Sequence, residues 1–168
     1  MWQDAERLVR GLAARLGGTV HGKRPPMKLT LEATVYSARP LPAEQVIDVL
    51  QPYVDTGELV VDDSSDVPDS YALATEQRPP FFVVYWPPQI SRTKLGLPPP
   101  ALGGRCGGEP CRWALSAWST VEETPAEVAL KLGEAALALA RAADGVVIDT
   151  YGFPLDHAED LRLGTLLT

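Results

Sequence analysis

TPAEVALKLGEAALALARAADGVVIDTYG, residues 124–152, holds a helix, a stop and a strand in one unbroken run. Thr124 reads as the N-cap, Pro125 as the first helical residue and Glu127 as the reciprocal partner of a capping box. Val128, Leu132, Ala135, Ala136 and Leu139 then recur at helical spacing and mark the buried stripe. Asp144-Gly145 supplies a left-handed exit, and Val146-Val147-Ile148 continues as an apolar strand that ends on Asp149.

Immediately upstream, Arg112 to Thr120 alternates, with Trp113, Leu115 and Ala117 on one face. A strand, a helix and a further strand in that order predict a C-terminal β-α-β crossover with parallel strands. Further back, Phe81 to Trp86, Ser70 to Thr75 and Glu58 to Val61 are short extended pieces between Asp-, Ser- and Pro-rich turns, the pattern of an antiparallel meander. Lys28 to Ser37 alternates Leu29, Leu31, Ala33 and Val35 against Thr30, Glu32, Thr34 and Tyr36, which predicts a strand buried on one face.

Helices are expected at residues 3–16, where Ala5, Leu8, Val9, Leu12 and Leu16 form a stripe, and from Pro42 to Leu50 with Val46, Ile47 and Leu50 inward. A short last helix is expected over Leu155 to Leu163. The elements add up to a single α+β domain over residues 1–168: a mixed, mostly antiparallel sheet, with two long helices and shorter ones packed on it. Residues 87–110 interrupt it as an irregular Pro/Gly-rich loop, expected to act as an arm or a flap.

Composition narrows the function. The chain of 168 residues carries a net charge of −7, most of it from the stretch 29–90 and the C-terminal third. Nucleic acid and anionic membranes reward clustered Lys and Arg, so neither is an expected partner, whereas a basic protein is. The longest apolar runs fall well short of the roughly 20 residues of a membrane span, and the N-terminus lacks the pattern of a secretory signal, so a cytoplasmic location is expected.

Several motifs are weighed for chemistry. Cys106 and Cys111, in Cys-Gly-Gly-Glu-Pro-Cys, have spacing that suits a small disulfide ring or two ordinary thiols, and not a redox motif. With His21 and His157 remote from them, no metal site is expected, and no cofactor motif is present. Asp62, Asp63, Ser64 and Asp66 alternate like a calcium loop but meet Val67 and Leu73 where glycine and a bidentate acid are needed. Asp62, Asp63, Asp66 and Asp69 are instead expected as an acidic patch for a partner, together with Trp86, Arg92, Lys94 and Trp118.

The expected function is noncatalytic binding of a basic protein, of the type by which immunity proteins neutralise toxin enzymes. One alternative is a small hydrolase or transferase using Asp149 and His157 at the end of the last strand, with residues 87–110 as a lid. A second is a small-ligand module with a pocket near Trp86 and Trp113.

Overall fold

The structure is a computed structural model that describes residues 30–55, 57–62, 66–75, 81–88, 110–121, 123–150 and 152–162. The helix expected at residues 3–16, Asp63, Cys106, and the body of the loop with Arg92 and Lys94 lie outside the described residues.

In chain order the elements are β1 (Thr30–Ser37), α1 (Ala43–Leu50), a 3-10 turn (Gln51–Tyr53), β2 (Val60–Asp62), β3 (Tyr71–Ala74), β4 (Phe81–Trp86), β5 (Cys111–Thr120), α2 (Ala126–Ala143), β6 (Val146–Asp149) and a second 3-10 turn (Ala158–Arg162). The strands form one six-stranded sheet in the order β2-β3-β4-β5-β1-β6. Every pairing is antiparallel, so the expected mixed sheet is corrected. The crossover survives in altered form: β5 and β6 run in the same direction, but β1 lies between them and pairs with both. Splitting the unit lets β1, the most extensively buried of the first four strands, occupy an interior position of the sheet, where both of its edges are hydrogen-bonded.

Alternation decides the faces. Leu31, Ala33 and Val35 of β1, Phe81, Val83 and Tyr85 of β4, and Trp113, Leu115 and Ala117 of β5 are buried in one core with Val46 and Leu50 of α1 and Leu132, Ala135, Ala136 and Leu139 of α2. Trp113 is fully buried, and its Nε1–H donates to the Tyr71 hydroxyl at 3.1 Å, which satisfies the indole in the core. Tyr85 lies between them, 4.7 Å from the Tyr71 ring and 5.2 Å from Trp113.

The 124–152 stretch folds as helix, stop and strand, but its ends work differently from expectation. Pro125 is the N-cap with no side-chain cap, and the Thr124 hydroxyl turns back to donate to the Thr120 carbonyl at 2.7 Å. The capping box is thus not formed; Thr124 ties the helix start to the end of β5, and Glu127 acts through the dipole in the first turn. Asp144, at φ 53°, takes the left-handed residue that closes α2. Gly145 is needed for proximity: a Cβ there would lie 2.5 Å from the Tyr36 carbonyl oxygen. Ala129 is buried where Val128 was expected and Val128 is half-buried, while Leu132, Ala135, Ala136 and Leu139 are buried as expected.

Of the two long helices expected, the one from Thr124 is seen as α2 with 18 residues, the one at residues 3–16 lies outside the described residues, and the shorter helix expected from Pro42 to Leu50 is α1. The last helix is a 3-10 turn, packed so closely on α2 that a Cβ at Gly133 would come 2.7 Å from the Ala158 carbonyl oxygen. No helix among the described residues is long and apolar enough to cross a membrane.

Candidate functional site

The face of the sheet away from α1 and α2 carries the polar side chains. Register places Glu32, Thr34 and Tyr36 of β1 beside Ser116, Ala114 and Arg112 of β5, and these beside Phe82, Val84 and Trp86 of β4. Asp62 and Val60 of β2 extend the same face through Ala72 and Ala74. Burial across it is uneven: Thr34, Ala114, Ser116 and Ile148 are buried, Phe82, Val84 and Trp86 are half-buried, and Val60, Asp62 and Trp118 are exposed.

Glu32 is the hub of the inner half. Its Oε1 accepts from Arg112 Nη2 at 3.1 Å and from Thr34 Oγ1 at 2.9 Å, while Oε2 accepts from Ser116 Oγ at 2.9 Å. Three donors on one half-buried carboxylate compensate its partial loss of water. The Glu32 backbone is held too, since its N–H donates to Thr150 Oγ1 at 2.8 Å and Thr150 Oγ1 donates to its carbonyl at 2.9 Å. The Arg112 guanidinium stands 6.0 Å from the centre of the Tyr36 ring, and its Nε is buried without a hydrogen-bond partner. Burial pushes the Tyr36 hydroxyl up, opposed by Arg112 and reinforced by Glu32. This arrangement holds an ion pair in one place, and with its carboxylate already accepting three hydrogen bonds it is a structural unit of the face.

The outer half is apolar. Trp118 is 46% exposed and packs on Phe82 with ring centroids 4.8 Å apart. Val60 is 51% exposed, and on its own face of β2 the next side chain is Asp62.

The sequence-derived site residues divide as follows. Asp62, Trp86 and Trp118 share this face. Asp66 and Asp69 are exposed in the turn that joins β2 to β3, where the Ser70 N–H and hydroxyl both donate to the Val67 carbonyl and Asp69 adopts φ 60°. Tyr85, next to Trp86 on β4, faces the other way into the core, paired across from Trp113. Trp86 and Trp113 therefore sit on opposite faces, with the sheet between them, so no single pocket holds both side chains.

Asp149 and His157 are also parted. The Asp149 carboxylate accepts the Phe153 N–H at 2.8 Å and closes the turn after β6. The chain then returns along β6, pairing Pro154 with Ile148 and donating from the Leu155 N–H to the Val147 carbonyl, which carries the exposed His157 toward the start of the strand. Asp149 stays at its end. Cys111 is a buried thiol whose Sγ donates to the Ser37 carbonyl at 3.0 Å, and Cys106, the other half of the expected ring, lies outside the described residues. Among the described residues no group of three or more His, Cys, Asp or Glu side chains is placed to hold a metal ion.

Sequence reading missed the Glu32, Arg112, Thr34 and Ser116 network. Alternation already placed Glu32 off the core face, but its partner Arg112 is 80 residues away and only the β1–β5 register brings the two together. Comparison of the chain with protein-family models, with curated proteins and with solved structures finds no match.

Proposed function

We propose that this chain is a noncatalytic, cytoplasmic protein-binding domain whose partner is basic, an immunity-type protein that neutralises a basic toxin or enzyme. One observation carries the reading: the exposed acids Asp62, Asp66 and Asp69 border a sheet face on which Trp86 and the exposed Trp118 also lie. Carboxylates at a rim accelerate the approach of a cationic surface, while tryptophan supplies contact area at low cost in side-chain freedom. The separation of Asp149 and His157 along β6 gives the hydrolase reading no comparable support.

The test is affinity capture from a lysate of the native organism at low and high salt, with mass spectrometry of what is retained. One stoichiometric basic protein, lost at high salt and lost with the triple variant Asp62→Lys, Asp66→Lys, Asp69→Lys, supports the proposal. A blank at both salts refutes it.

A further inference from the structure

We infer that the partner's footprint runs from the acidic turn onto an apolar strip across β2, β3, β4 and β5, and that the segment seated there carries large apolar side chains interspersed with Lys or Arg. This rests on the protein-binding reading above and specifies the chemistry of the partner at that face. The strip is built from Val60, Ala74, Phe82 and Trp118. Val60 pairs across from Ala74, the β3–β4 register brings Phe82 next, and the Trp118 ring leans on Phe82. The β3 contributions, Ala72 and Ala74, are small, so the floor is low between Val60 on one side and Phe82 on the other.

Two of the four large apolar residues that stay exposed among the described residues, Val60 and Trp118, belong to this one strip. Scattered exposed apolar residues are ordinary, but a contiguous row ending in an exposed tryptophan is what an interface anchor looks like.

Charge selects the occupant. Asp62 follows Val60 on the same face at about 7 Å, two residues along a strand, so anything that covers the strip meets that carboxylate. Asp66 and Asp69 stand just beyond it in the connecting turn. A second copy of the chain, itself at −7, would bring a matching set of carboxylates to the same place, and like charges across an interface oppose association. A segment with alternating apolar and cationic side chains fits both parts of the surface at once.

The experiment uses the isotopically labelled full chain and two synthetic peptides of equal length, one alternating Leu with Arg and one alternating Leu with Glu. Amide shifts are followed by NMR, first in a dilution series of the protein alone and then during each titration at low and high salt. The expected result is that only the Leu/Arg peptide shifts Asp62 together with Val60, Ala74, Phe82 and the Trp118 indole. Trp118→Ser should then weaken that peptide by about tenfold, the scale of a lost interface anchor. Shifts confined to Asp62, Asp66 and Asp69 overturn the strip while leaving a basic partner in place. Equal binding of the Leu/Glu peptide overturns the charge argument, and no shift with either peptide overturns the inference as a whole. Strip shifts that depend on protein concentration assign the face to a second copy and overturn it as well.

Discussion

Exchanging the roles of two adjacent residues at the end of α2 tests the packing account of the helix-to-strand turn. Sequence logic makes Gly145 a conformational exit, whereas the structure gives the left-handed residue to Asp144 and leaves Gly145 against the Tyr36 carbonyl oxygen of β1. In Gly145→Ala the new methyl carbon would sit 2.5 Å from that oxygen, about 0.9 Å inside the 3.4 Å of ordinary contact. The nearest atoms are the Tyr36 carbonyl and the Ser37 Cβ, which cannot swing aside without moving the backbone, so the strain falls on the β1–β6 register: Tyr36 pairs with Val146, and the Ser37 hydroxyl donates to the Ala143 carbonyl at 2.6 Å. An overpacked core site typically costs ~1–3 kcal/mol, and with no flexible side chain to yield the upper half of that range applies. At a urea slope of ~2 kcal/mol per molar, the unfolding midpoint should fall by roughly 1 M. Asp144→Gly should move the other way or stay level, because relief of the left-handed conformation, ~1 kcal/mol, is partly offset by added freedom of the unfolded chain. Urea unfolding followed by far-ultraviolet circular dichroism reads both variants. A Gly145→Ala midpoint equal to that of the parent would refute the close-approach argument.

Three further outcomes are expected. Glu32→Gln leaves Arg112 with a weakened partner in a partly buried place and should cost about 1–3 kcal/mol in urea unfolding at neutral pH, less than a fully buried pair because Glu32 keeps 30% of its side-chain exposure; an unchanged midpoint would show the network to be incidental. Burial pushes Tyr71 up to about 12 and Tyr85 higher still. Both hydroxyls thus hold their protons in the folded chain at pH values where the unfolded chain loses them, so stability is intact below about pH 10 and falls as pH rises toward 12 and beyond. Tyrosinate absorbance during an alkaline titration, with Tyr71→Phe as control, checks the sign. Cys111, buried and donating to the Ser37 carbonyl, should react with a thiol reagent only as fast as the chain unfolds in a Cys106→Ser background; rapid labelling under native conditions would contradict its placement.

By itself the sequence determined the local periods. A strand is legible when one face is apolar, as in Leu31, Ala33 and Val35 or Trp113, Leu115 and Ala117, because burial of alternate residues is a property of neighbours along the chain. The same holds for α2, where helical spacing of Leu132, Ala135, Ala136 and Leu139 survives in the core, and for the exposed placement of Trp118. Local logic fell short at the turns of this unit, since a Thr, a Pro and a Glu in capping order do not reveal that Thr124 has a carbonyl of β5 within reach.

Tertiary structure alone decided who meets whom. That β1 lies between β5 and β6 follows from pairing both of its edges, an energy summed over residues far apart in sequence, and it leaves β5 and β6 parallel as expected but each hydrogen-bonded to β1 and not to the other. The same register assembles Glu32, Arg112 and Ser116, places Trp86 and Trp113 on opposite faces, and sets Val60, Phe82 and Trp118 in one row beside Asp62. It also separates Asp149 from His157, because the Phe153 N–H and the Val147 carbonyl fold the chain back along β6. Chain-local chemistry specifies the elements and their buried sides; contacts between distant strands specify the surface, since a side chain's neighbours across a sheet come from register and not from its own segment.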